Sequence, residues 1–135
     1  MSIVTGNFND MKWMPVLEKD GVTHRCRKIM FGAERATVQI GEFCNGHAIK
    51  PHSHEYEQIA IILQGVCDFV VDDVPYRMTA GSYIVLPPRS VHYIHVYDSP
   101  VPVMNMDIFI PARPEYTEKY KNFIETGADH VISNK

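Results

Sequence analysis

The chain carries no surplus of positive charge. Its 13 Lys+Arg stand against 16 Asp+Glu, a formal net charge of −3, and no basic block occurs. Phosphate binding needs a basic face, so nucleic acid is not an expected partner. Long apolar runs are also missing. The longest, residues 59–63, falls far short of the ~20 residues that span a membrane, so no membrane partner is expected. The opening MSIVTGNFNDMKWM has neither a basic start nor an apolar stretch, and no signal peptide is read there. Cysteine is scarce. Cys26, Cys44 and Cys67 are odd in number, widely spaced and without a CxxC pair. That excludes a disulfide framework and leaves reduced thiols in a cytoplasmic protein as the expectation.

What is present suits one domain. A chain of 135 residues can bury about two-thirds of its unfolded surface. A hydrophobic fraction of 45% with 21% charged residues is an ordinary globular balance. Short apolar runs at 37–43, 58–63, 66–71, 74–78, 83–86, 91–97 and 103–110 alternate with Gly, Pro and Asp punctuation. Strands this short, with turns this frequent, predict an all-β sandwich or barrel. No helical pattern separates them, which argues against a βαβ fold. An edge strand is expected around 13–17. Near the C-terminus, Tyr116, Tyr120, Phe123 and Ile124 share one helical face. Pro114 and Gly127 suit its start and stop, giving a short helix at about 115–125.

The chemistry concentrates in PHSHEYEQ, residues 51–58. In an extended chain, residues two apart share a face. His52, His54 and Gln58 then point one way, and Glu55 and Glu57 the other. Imidazole is the commonest protein metal ligand, and an amide oxygen can also coordinate. His92, on a later strand, could add a third imidazole. The alternatives are satisfied structural histidines and a Gln58 that merely lines the interior. Glu57 replaces Gln58 only if the strand is bulged.

The spacing G-x5-HxH-x3-Q-x6-G over 46–65 resembles the first motif of the cupin family, in which the Gln position is usually Glu. Residues 81–96, G-x5-PxR-x2-H-x3-V, resemble the second, with Arg89 and Val96 standing where Gly and Asn are usual. The resemblance implies a single cupin domain over 1–135. Its fold would be a jelly-roll β-barrel with a short C-terminal helix, holding one divalent transition metal (Ni, Mn, Fe, Co or Zn). His52, His54, Gln58 and His92 are the implied ligands. With Gln in place of Glu the ligand shell is neutral, so the ion keeps its full charge and acts as a stronger Lewis acid.

A Gln here resembles two cupin groups, the pectin-degradation KdgF proteins and the bacilysin-pathway isomerases. Asp107-x-Phe109-x3-Arg113 resembles the D-x-F-x3-R segment of the former, and Asn105, Asp107 and Phe109 share one strand face. The resemblance implies Asp107 and Arg113 as catalytic residues, with Phe109 and Arg113 binding substrate. The expected function is isomerisation or tautomerisation of a small keto acid or unsaturated uronate through a metal-stabilised enolate, within sugar acid metabolism. A quercetinase-like or thiol-oxidising dioxygenase and a non-catalytic small-molecule binder are the alternatives. A homodimer is expected from the family. His24, His47, His95 and His130 receive no role.

Overall fold

The computed structural model describes residues 2–127. Among these residues a short 3-10 turn (Phe8–Asp10) is followed in chain order by nine strands and one α-helix: β1 (Met14–Pro15), β2 (Cys26–Gly32), β3 (Thr37–Phe43), β4 (Glu57–Gln64), β5 (Cys67–Val71), β6 (Val74–Met78), β7 (Tyr83–Leu86), β8 (His92–His95), β9 (Val103–Ile110) and α1 (Pro114–Thr126). They form two antiparallel sheets, ordered β1-β2-β3-β9-β4-β7 and β6-β5-β8. This is the expected all-β jelly roll with a C-terminal helix. Turn chemistry sets the joints. Asp72 and Asp73 both take positive φ, 47° and 66°, as the tight β5–β6 hairpin requires. Gly65, at φ 90°, starts the turn after β4. A Cβ there would lie 2.9 Å from Ser99 Oγ and from a Val103 methyl, so only glycine fits.

Two apolar clusters hold the sheets. One fills the barrel floor with Ala60, Ile62, Phe69, Leu86, Val96 and Val103. The other lies on the outer face of the larger sheet, where Tyr120 and Phe123 of α1 pack with Met14, Ile29 and Ile40. Pro114 opens α1, and Gly127 closes it at φ 60° with its N–H donating to the Phe123 carbonyl at 3.0 Å. Ile124, expected on the packed face, is instead 46% exposed. The anchor is narrower than the sequence pattern and rests on Tyr120 and Phe123.

Cross-strand register decides what faces inward. Thr37, Phe109 and Gln58 lie in one row across β3, β9 and β4. Gln39 and Asp107 lie in the next with Ala60, and Lys28, Gly41 and Asn105 in the one after. Paired residues point to the same face. A ladder of polar side chains therefore enters the barrel from its β2–β3–β9–β4 wall. A Cβ on Gly41 would lie 2.7 Å from the Phe43 ring, so the bare glycine gives that ring its place.

Candidate metal centre

His52 and His92 reach the site from adjoining segments that exchange two backbone hydrogen bonds, of 3.1 and 2.9 Å. The stretch 52–56 is not a continuous extended strand, since β4 begins only at Glu57. The chain is hooked before it. The His54 ring nitrogen Nδ1 lies 2.8 Å from the Tyr56 carbonyl, and the Arg89 N–H donates to the His54 carbonyl at 2.7 Å. The three imidazoles nevertheless converge, with ring centroids 4.5–5.8 Å apart. One ring nitrogen of each lies within 4.8 Å of the others.

Local hydrogen bonds set all three tautomers. Nδ1 of His52, His54 and His92 faces the carbonyl of Lys50, Tyr56 and Ser90, at 2.7, 2.8 and 3.0 Å. A carbonyl only accepts, so each Nδ1 carries the proton and each Nε2 a lone pair. The Nε2 of His92 is buried with no partner. That of His54 lies 3.0 Å from Gln58 Oε1, a second acceptor. The Gln58 amide nitrogen is committed elsewhere, donating to Asp107 Oδ1 at 2.8 Å. Two lone pairs thus face each other beside an orphaned third. A proton would satisfy one pair. A divalent ion among the three imidazoles would satisfy their lone pairs and the Gln58 oxygen beside them, so the donor set fits a metal. Burial presses the same way, pulling His92 down to about 4 and His52 below its usual range. Both rings are held in the neutral form that ligation needs. Glu57 is exposed and turned outward.

Asp107 sits beside this set, 6% exposed. Its Oδ1 accepts from Gln58 and from Asn105 Nδ2 at 2.9 Å, and its Oδ2 from Gln39 Nε2 at 3.2 Å. Burial pushes its carboxyl above the ordinary range, while the amides of Asn105 and Gln58 and the charge of Lys28 pull the other way. Phe109 is buried edge-on to the His54 and Tyr56 rings, at 6.2 and 5.5 Å.

These groups line a cavity of about 410 Å³ that also takes in Lys28, Lys50, Tyr116 and Lys119. Arg113 is not among its lining residues. The guanidinium lies 3.9 Å over the Tyr56 ring and is paired with Glu115. Burial, and then the Tyr116 hydroxyl bonded to it, raise the Tyr56 phenol above its usual range. Lys28, Gln39 and the helix residues received no part from sequence. Inward alternation along β3 could have suggested Gln39. His47 is buried at the cavity edge, where its Nε2 accepts from the Val96 N–H at 3.1 Å. It is a satisfied structural histidine. His130 lies outside the described residues.

Residues 40–109 match the family described as Cupin domain. Dimethylsulfoniopropionate lyase DddW of Ruegeria pomeroyi is 31% identical over 72 residues, which are 50% of this chain and 47% of that protein. The chain thus matches about half the length of this relative. A solved RmlC-like cupin from Shewanella frigidimarina superposes with a TM-score of 0.69 at 21% identity, over 85% of this chain and 96% of that one. KdgF from a Halomonas species superposes with a TM-score of 0.67 at 20% identity, over 80% and 94%. The structural likenesses speak for the fold. The family match covers more than half of the 135 residues, and the chain belongs to the cupin family.

Proposed function

We propose that this cupin is a metal-dependent isomerase or tautomerase of a small keto acid or unsaturated uronate. The observation that carries the reading is the pair of facing acceptors at His54 and Gln58 beside the orphaned nitrogen of His92, in a cavity that also holds Asp107. His52, His54, Gln58 and His92 would hold one divalent ion of Ni, Mn, Fe, Co or Zn. Such an ion would supply Lewis acidity with no ligand charge to offset it, favouring developing negative charge on a substrate oxygen. Asp107 has about four lone-pair sites, and amides occupy three of them. The remaining one takes a proton from carbon and returns it to a different atom. Burial makes the carboxyl a better resting place for that proton between the two steps. Phe109 keeps water from the reacting carbon, and Arg113, if released by Glu115, pairs the substrate carboxylate.

The test mixes metal-loaded protein with 4,5-unsaturated galacturonate in deuterated water. Proton NMR is expected to show a 2-keto product carrying deuterium. Unchanged spectra with this uronate and with small 2-keto acids, from protein that holds its ion, would rule the reading out. The likeness to DddW favours a second reading, elimination from a small carboxylic acid. It begins with the same proton transfer and ends with loss of a leaving group. A new vinyl signal from dimethylsulfoniopropionate in the same experiment separates the two. A cytoplasmic homodimer goes with either reading. Three free thiols suit a reducing compartment, and the exposed Tyr83 and Val85 on edge strand β7 suit a second copy.

A further inference from the structure

We infer that Asp107 is also a positioning residue, which fixes the Gln58 amide so that only its oxygen faces the imidazoles. The inference rests on the metal-site reading above. A glutamine can turn either end of its amide to a neighbour, and only the oxygen end can hold a cation. Left to itself, Gln58 would present its NH2 to the His54 Nε2 lone pair. That is an ordinary hydrogen bond, and it would close the ring nitrogen to a metal. Asp107 forbids this arrangement. An ionised carboxylate only accepts, so it claims the NH2 end of every amide it touches.

Three amides obey that rule. Gln58, Asn105 and Gln39 each donate to Asp107, at 2.8, 2.9 and 3.2 Å. The consequence is visible at the two nearest. Gln58 Oε1 is turned to His54 Nε2, 3.0 Å away, where acceptor meets acceptor. Asn105 Oδ1 is turned away from the carboxylate and left buried without a partner. Donation to Asp107 accounts for both oxygen orientations. The cross-strand register makes the hold stiff. Asp107 is opposite Gln39 on β3, and Gln58 lies one row away on β4.

The experiment titrates the metal-free full chain with Co(II) and follows visible absorption, with circular dichroism as a check of folding. Wild-type protein is expected to take up one Co(II). Asp107→Asn keeps the shape and frees the Gln58 amide to reverse. It is expected to weaken Co(II) binding tenfold or more and to change the visible bands. The double variant Gln58→Glu/Asp107→Asn exchanges carboxylate and amide, keeps the pair's total charge, and presents an oxygen at either end of the ligand. It is expected to return affinity to within about threefold of wild type, which loss of a merely structural carboxylate would not allow. Wild-type affinity and bands in the single variant would overturn the inference. So would a double variant that binds no better than the single one. Should the single variant not fold, the double variant alone decides. Failure of the wild-type chain to bind Co(II) would overturn the metal-site reading, and this inference with it.

Discussion

His92 is fully buried, donates from Nδ1 to the Ser90 carbonyl and leaves Nε2 with nothing to bond. An unsatisfied buried acceptor costs roughly 1–3 kcal/mol. On the proposed reading, an ion binding to the native state would offset that cost by mass action. At an ion concentration a hundredfold above Kd, the native state gains about 2.7 kcal/mol. Differential scanning fluorimetry with Ni(II) or Co(II) should therefore show a Tm rise of several degrees in the wild type. His92→Ala should abolish the rise, and an excess of chelator should reverse it. An equal rise in both proteins would remove His92 from the ligand set.

Arg89 shows how an element records a departure from the family pattern. It stands where cupins usually have glycine, and its φ is 70°. The left-handed conformation costs a side-chain-bearing residue about 1–2 kcal/mol. The return from its side chain is small, since the ion pair with Glu55 is 3.3 Å long and exposed. Arg89→Gly is expected to raise stability by about 1 kcal/mol in urea denaturation, and a lower midpoint would show that the turn is not strained. At this scale the sequence was readable where a strand has one wet face or a clear turn. Thr37–Phe43, Val74–Met78, Tyr83–Leu86 and Val103–Ile110 have the bounds that the alternation suggested. Cys26–Gly32 was missed because both its faces are engaged. Ile29 packs under α1 while Lys28 lines the cavity, so no apolar period survives. The run at 91–97 shortens to His92–His95. Beyond it the Val96 N–H is taken by the His47 ring rather than by a neighbouring strand.

For the whole molecule, burial of thiols ties stability to alkaline pH. Cys26 is pushed up by burial to about 11 and Cys67 to about 12, against 9.0 for a free thiol. Both are raised, so their contribution is complete below pH 9 and is lost as pH climbs through 11 and 12. Each unit is worth about 1.4 kcal/mol. The urea midpoint should fall between pH 8 and pH 10.5, and Cys26→Val should flatten the fall. An equal slope in the variant would assign it to other groups. The candidate site was legible only in part, for a reason of the same scale. The imidazoles and Gln58 are spaced along short local stretches, and that spacing can be read in one dimension. The amide cage of Asp107 joins β3, β4 and β9, and no single stretch of sequence contains it. Nor could the helix be seen as part of the cavity. Tyr120 and Phe123 anchor α1 to the outside of the sheet, while Glu115, Tyr116 and Lys119 line the cavity. On the proposed reading, chemistry and selection would then draw on different parts of the chain. The opening turns of α1 could then be rewritten to admit a differently shaped guest, while the barrel residues that would hold an ion stay as they are.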